Sequence, residues 1–296
     1  MSLGDEVNEL TAMDYLEAAD FSEASQGGPN LLAAGFSAPL RWPEISRLEP
    51  DYLLVSPALQ YALVVDVKSG HIQKDDPVQA RAYRALPPYV VSDFCAKMFK
   101  ALGLSSPNVR NFDVCFLYYQ GMLEGANLLK YANQSDLDAL VTEATILVTD
   151  PSLRRLTLWQ GSARPLSNAT LDGFLRAGIR IPKNPASKVR LTRHPSDEMI
   201  ALVVAQAVLD RRGRQRSVSL SPQMIRDEIL GSPRDVTLRK MESILVKLRR
   251  GGFCSIPRQQ ATGFQAEYAF DDVAGLIAGL INPMFAGKTL EELTRA

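Results

Sequence analysis

The chain of 296 residues is 46% hydrophobic and 22% charged, a globular balance that excludes wholesale disorder and suits one large domain or two. Its formal net charge of zero hides an asymmetry: residues 1–150 carry 10 Lys and Arg against 20 Asp and Glu, and residues 151–296 carry 23 against 13. With only His71 and His194 a multi-histidine zinc site is excluded, and the lack of a GxxxxGK[ST] loop argues against P-loop ATP hydrolysis.

No apolar run reaches the roughly 18 residues of a membrane span. The acidic start lacks the basic–apolar pattern of a secretory signal. Three scattered cysteines, Cys95, Cys115 and Cys254, read as reduced thiols, so a cytoplasmic protein is expected.

In chain order, residues 5–25 predict a helix, stopped by Gly27-Gly28-Pro29. Two strand-forming runs follow at 52–56 and 61–68, separated by a turn, Pro57-Ala58-Leu59-Gln60. A helix is expected from about Pro77 to Leu86, broken by Pro87-Pro88, and another over 92–102. A strand at 112–120, a helix at 135–143 and strands at 144–149 and 155–160 complete a mixed α/β pattern. Prolines 182, 185 and 195 among basic residues mark 179–195 as a linker between domains at 1–178 and 196–296. The C-terminal domain predicts helices at 196–211, 221–230 and 236–250, then strands at 253–256 and 265–270 around a loop with Arg258 and Gly263, and a short helix at 271–281. Three helices followed by a hairpin resemble a winged helix-turn-helix.

The hairpin carries the chemistry. A four-residue loop over 57–60 sets Ser56 against Tyr61, and the same register brings Asp51 opposite Asp66. Two carboxylates so placed have Cβ atoms about 4.5–5.5 Å apart. Their repulsion is about 4 kcal/mol at short range in an effective dielectric near 20. A divalent cation removes that cost, and Mg²⁺ takes carboxylate and water oxygens. Lys68 lies two residues beyond Asp66 on the same strand face, where it could position or help deprotonate an attacking water, or stabilise charge on a phosphate. The alternative is a surface hairpin with an incidental Asp–Lys pair.

Pro50-Asp51, Asp66-Val67-Lys68 and Gln79-Ala80-Arg81-Ala82-Tyr83 together resemble the PD, (D/E)XK and QxxxY series of the RecB-like branch of the PD-(D/E)XK nuclease superfamily. The resemblance covers about 35 residues. It implies a restriction-endonuclease-like mixed sheet flanked by helices. It also implies a Mg²⁺- or Mn²⁺-dependent nuclease acting on nucleic acid, DNA foremost. Asp51, Asp66 and the Val67 carbonyl would bind the metal, Lys68 would assist the attacking water, and Gln79 and Tyr83 would lie beside the centre. Many members add a glutamate from the first helix; Glu23 is the first candidate here and Glu17 the second. Some members hold a four-cysteine iron–sulfur cluster, which three dispersed cysteines cannot supply. Packing by Tyr83 on an amphipathic helix is the plainer reading of the Gln79–Tyr83 pair. His71 reads as an ordinary loop histidine, Asp75-Asp76 as the acidic first turn of a helix, and Arg81 and Arg84 as solvated or phosphate-facing.

Between Lys183 and Arg258 there are 16 Lys and Arg against 7 Asp and Glu. Arg239, Lys240, Lys247, Arg249 and Arg250 cluster on the third C-terminal helix and are the expected phosphate contacts. The competing expectation for the whole chain is a non-catalytic nuclease-like or winged-helix adaptor, bound to protein partners in a larger DNA-processing or defence complex.

Overall fold

The computed structural model describes residues 3–21, 37, 40–41, 50–68, 70–101, 103–150, 152–162, 164–181, 191, 195–212, 218–233, 235–256, 264, 266–270, 273–281 and 290. The chain divides into two compact units. One comprises residues 11–187, and the other joins residues 1–10 to residues 188–296.

The larger unit is α/β, built on a seven-stranded mixed sheet whose strands lie in sequence order. They are β1 (Leu40–Arg41), β2 (Tyr52–Ser56), β3 (Tyr61–Val67), β4 (Asn111–Tyr119), β5 (Thr145–Asp150), β6 (Arg155–Leu158) and β7 (Ile179–Arg180). The β3–β4 and β4–β5 pairs are parallel; the other neighbours are antiparallel. Helices α2 (Asp76–Arg84), α3 (Pro88–Ala101), α4 (Gln134–Glu143) and α5 (Ala169–Ala177) connect the strands, and α1 (Leu3–Ala18) precedes them. The parallel crossovers need such intervening helices.

The hairpin forms because Tyr52–Ser56 and Tyr61–Val67 are unbroken runs of strand formers, and all their residues are buried. Such a run, covered on both faces, is the pattern of a central strand. The turn closes with Gln60 at φ +52 and its N–H bonded to the Pro57 carbonyl. Ser56 pairs with Tyr61, and the register continues to Tyr52 against Val65.

Alternation sorts the side chains. Leu53 and Val55 of β2 and Ala62 and Val64 of β3 pack in one cluster with Val91, Phe94, Cys95 and Phe99 of α3. On the next strand Val114, Phe116 and Tyr118 pack with Ala80 and Tyr83 of α2 and with Leu137 and Leu140 of α4. Helix α4 opens on a reciprocal cap, in which Asn133 Oδ1 accepts from Asp136 N and Asp136 Oδ2 accepts from Asn133 N.

The short strand β1, helix α5 and strand β7 lie beyond the expected set in this unit. Helix α5 starts on the Asn168 cap and ends on Gly178, at φ +84. Strand β7 then extends the sheet edge against β6, so the sheet reaches into the stretch that composition marks as a linker. The expected stop at 27–29 lies outside the described residues, and α1 closes at Ala18.

In the other unit the order is α6 (Asp197–Arg212), β8 (Ser219–Leu220), α7 (Pro222–Met224), α8 (Leu238–Arg250), β9 (Cys254–Ser255), β10 (Tyr268–Phe270) and α9 (Val273–Ile281). The three strands form a sheet in the order β8–β10–β9. Ser221 caps α7 through Met224 N, but the helix widens to a π turn over Ile225–Ile229 in place of a regular helix to 230. Met241, Ile244, Leu245 and Leu248 of α8 are buried against Val204, Val208, Leu220 and Tyr268. Residues 1–10 join this unit through Glu6. Its carboxylate accepts from the backbone N–H of Ser196 at 2.8 Å and from the Ser196 hydroxyl. Arg258 and Gly263 lie outside the described residues.

Candidate active site

The end of β3 gathers the hairpin carboxylates. Asp51 belongs to the β2 row of Leu53 and Val55, and Asp66 to the β3 row of Val64 and Ala62. Those rows pack in one cluster, so the two acids share a face of the sheet. Regular pairing stops at Tyr52–Val65. Beyond it the Asp51 N–H donates to the Val65 carbonyl at 3.0 Å. The Val67 N–H donates at 2.7 Å to the Asp51 side chain, at Oδ2. A carboxylate thus replaces the backbone acceptor that another strand residue would offer, and Asp51 is held one peptide from Asp66.

Asp66 is 5% exposed. Its Oδ2 pairs with the Lys68 ammonium at 2.9 Å and its Oδ1 accepts from the Tyr83 hydroxyl at 3.1 Å. Lys68 also pairs with Asp76 Oδ1 at 3.1 Å, donates to Gln79 Oε1, and lies 4.2 Å from the centre of the Phe116 ring. An ammonium has three hydrogens, and here three acceptors surround it. Gln79 Nε2 donates to the Tyr83 oxygen at 2.9 Å. Asp66, Lys68, Gln79 and Tyr83 therefore form one connected network.

Asp76 is the residue that sequence reasoning missed. It is buried, and besides Lys68 it accepts from the Tyr118 hydroxyl and the Gln73 N–H, each at 2.8 Å, through Oδ2. Its place at the start of α2 is the one expected, but its carboxylate is spent on the network rather than on the helix dipole. A signal was present: Asp76, Gln79 and Tyr83 fall at i, i+3 and i+7, one face of a helix.

Electrostatics follow from burial. Burial lowers the proton affinity of Lys68, but Asp66 and Asp76 together outweigh it and hold the ammonium's pKa above its ordinary value. The Tyr83 hydroxyl is raised by burial first, then by the charge of Asp66 and, more weakly, of Asp51. Tyr118 is raised well above its ordinary value by burial and by Asp76. The phenol is thus kept protonated, as a donor, and the lysine cationic.

Asp51 and Asp66 supply carboxylate oxygens of the kind Mg²⁺ takes together with waters. Among the described residues no group of three His, Cys, Asp or Glu side chains is placed to hold a metal ion. Glu23 lies outside the described residues. Glu17 accepts from the Tyr52 hydroxyl at 2.6 Å, and Tyr52 alternates to the opposite face from Asp51. His71 Nε2 lies 3.3 Å from Asn127 Oδ1, with its ring edge-on to Tyr131. Arg81 and Arg84 pair with Glu143 at 3.0 and 3.2 Å.

The five basic residues of α8 divide in two. Arg239, Arg249 and Arg250 are exposed. Lys240 donates to the Pro195 carbonyl at 2.7 Å, and Lys247 pairs with Asp197 at 2.7 Å. Comparison of the chain with family models, curated proteins and solved structures finds no match.

Proposed function

We propose that the larger unit is a nuclease domain of the PD-(D/E)XK type, which hydrolyses phosphodiester bonds of DNA with Mg²⁺ or Mn²⁺. One observation carries this reading: Asp51 is docked on the Val67 N–H while Asp66 and Lys68 pair on the same sheet face. Two oxygen-donor acids and a permanent cation thus converge on one strand end. When bound, the metal would polarise a phosphate oxygen and lower the pKa of a bound water; Asp51 and Asp66, with the Val67 carbonyl, would hold it. Lys68 stays charged and stabilises negative charge building on the phosphate. Asp76 and Gln79 fix the ammonium in place, and Tyr83 orients Asp66 through its hydroxyl.

The smaller unit supports a nucleic-acid-binding role. Helix, strand, two helices and two strands, with a β8–β10–β9 sheet, support reading it as a winged helix, whose third helix would face DNA. On α8 that leaves Arg239, Arg249 and Arg250 for phosphates, while Lys240 and Lys247 brace the helix.

The test is cleavage of labelled DNA and RNA by the purified full chain with Mg²⁺ or Mn²⁺, beside an Asp66→Asn variant. Metal-dependent cleavage that the variant loses, with its fold intact by circular dichroism, is the expected result. Cleavage that persists undiminished in the variant would overturn the assignment. A specific observation favours a second reading, a non-catalytic adaptor: all three ammonium hydrogens of Lys68 already have acceptors within the chain. That reading predicts nucleic-acid binding without cleavage and no shift in melting temperature at millimolar Mn²⁺.

A further inference from the structure

A second polar cleft lies at the other end of the same strands. Its volume is about 550 Å³, and Arg84, Arg110, Arg164, Tyr61, Ser167 and Asn168 line it. Tyr61 opens β3 and lies beside Asn111, the first residue of β4. At about 3.3 Å per residue the cleft is about 16 Å along the strand from Asp66, which separates it from the proposed nuclease site.

The arrangement of charge is what calls for a ligand. Arg84 and Arg164 both reach the Thr142 carbonyl, at 3.5 and 3.2 Å, each through one Nη1. That oxygen belongs to the last turn of α4, whose end attracts cations. Arg84 also pairs with Glu143. A guanidinium carries five N–H donors, so each keeps several for the cleft. Arg110 is exposed, and among the described residues its guanidinium has no hydrogen-bond or ion-pair partner. One acid, Asp113, also lines the space, but its Oδ2 is already occupied by the Tyr61 hydroxyl at 2.8 Å, the Ser167 N–H at 2.7 Å and the Ser167 hydroxyl at 2.6 Å. Those bonds engage one oxygen of the carboxylate within the chain, beside the three arginines that line the cleft. The nine-residue helix α5 begins beside it at Asn168, which adds a favourable dipole for an anion.

We infer that this cleft is a phosphate-binding site, for a phosphate group carried by a nucleotide or by a nucleic-acid strand. Planar guanidinium forks match phosphate oxygens in pairs, and three of them around one cleft exceed what Asp113 and Glu143 neutralise. Apolar wall from Phe112 and Leu59 lies alongside and suits the base or sugar of such a ligand.

Isothermal titration calorimetry on the full chain tests this, in chloride buffer at constant ionic strength. The titrants are inorganic phosphate, a nucleoside 5′-monophosphate, and a short oligonucleotide with and without its terminal phosphate. Arg110→Gln, at a side chain without a partner among the described residues, keeps the fold and lowers affinity at least tenfold; Arg164→Gln does the same. Binding of phosphate or nucleotide assigns a free ligand, and binding of the oligonucleotide alone assigns a strand; either supports the site. No heat with any titrant at millimolar concentration, or equal affinity in both variants and the parent chain, overturns it. The readout is binding, so it stands apart from whether the chain cleaves DNA.

Discussion

Asp76 Oδ1 lies 3.1 Å from the ammonium of Lys68, and the other oxygen of the same carboxylate accepts from Tyr118 on the neighbouring strand. A helix start, a strand end and a second strand are joined through one buried side chain. Replacing it with asparagine leaves Lys68 with a single carboxylate partner. Removing one member of a buried pair costs a few kcal/mol, about 2–4 here. Urea unfolding of Asp76→Asn checks this, and a loss below about 0.5 kcal/mol would show that the network does not depend on it.

Tyr83→Phe removes the donor to Asp66 Oδ1 and the acceptor of Gln79 Nε2. The ring still fits against Phe116, whose centre is 6.3 Å away. The expected stability loss is about 1–2 kcal/mol, with a larger relative effect on metal-dependent cleavage than on melting. Equal effects on both would mean that the tyrosine is a packing residue alone.

Stability should decline in strong alkali. Folded Lys68, Tyr83 and Tyr118 all hold their protons above the ordinary values, which are about 10.4 for lysine and about 10 for tyrosine. Once pH exceeds those values the unfolded chain releases protons that the fold keeps. The folded state then binds more protons, and unfolding free energy falls as pH rises. Below about pH 10 the contribution is complete. Urea titrations between about pH 8 and 11 should show this fall, and a smaller one in Tyr83→Phe; a flat profile would contradict the network's charge states.

Burial pushes the Cys95 thiol up to about 12 and Cys115 well above its ordinary value, helped by Asp113. Both side chains are buried. At pH 8 neither presents thiolate or access. Maleimide labelling of these two cysteines should therefore follow global unfolding in urea; rapid labelling of the native protein would refute it.

On α8 the exposed and the braced cations should separate by assay. Arg239→Ala with Arg250→Ala should reduce the salt dependence of DNA binding by about 2 in log–log slope and leave melting unchanged. Lys247→Ala, which loses the partly exposed pair with Asp197, should cost about 0.2–1 kcal/mol of stability. The reverse pattern would place nucleic acid elsewhere.

The hairpin could be read from the chain because it is local. A four-residue loop and two apolar runs set the register of Ser56 against Tyr61 without help from the remainder of the fold. Asp66, Lys68, Gln79 and Tyr83 meet because strand and helix periodicities bring them to shared faces. Tyr118 could not be found that way, because its bond to Asp76 depends on the parallel pairing of β3 with β4, across an intervening helix pair. Helix α5 was obscured by Gly173 in its middle and by its short length, and the π turn after Met224 has no compositional mark. The arginines of the cleft come from three separate segments, at 84, 110 and 164, which only the pairing of the strands brings together.

The carboxylate of Glu6 at the start of α6 gives the polypeptide an unusual bookkeeping of beginnings and ends. In sequence the larger unit is inserted into the smaller one, which draws on residues 1–10 as well as on residues 188–296. A fragment starting at 188 would leave Ser196 without its Glu6 acceptor, so removing residues 1–10 perturbs the unit formed by residues 188–296.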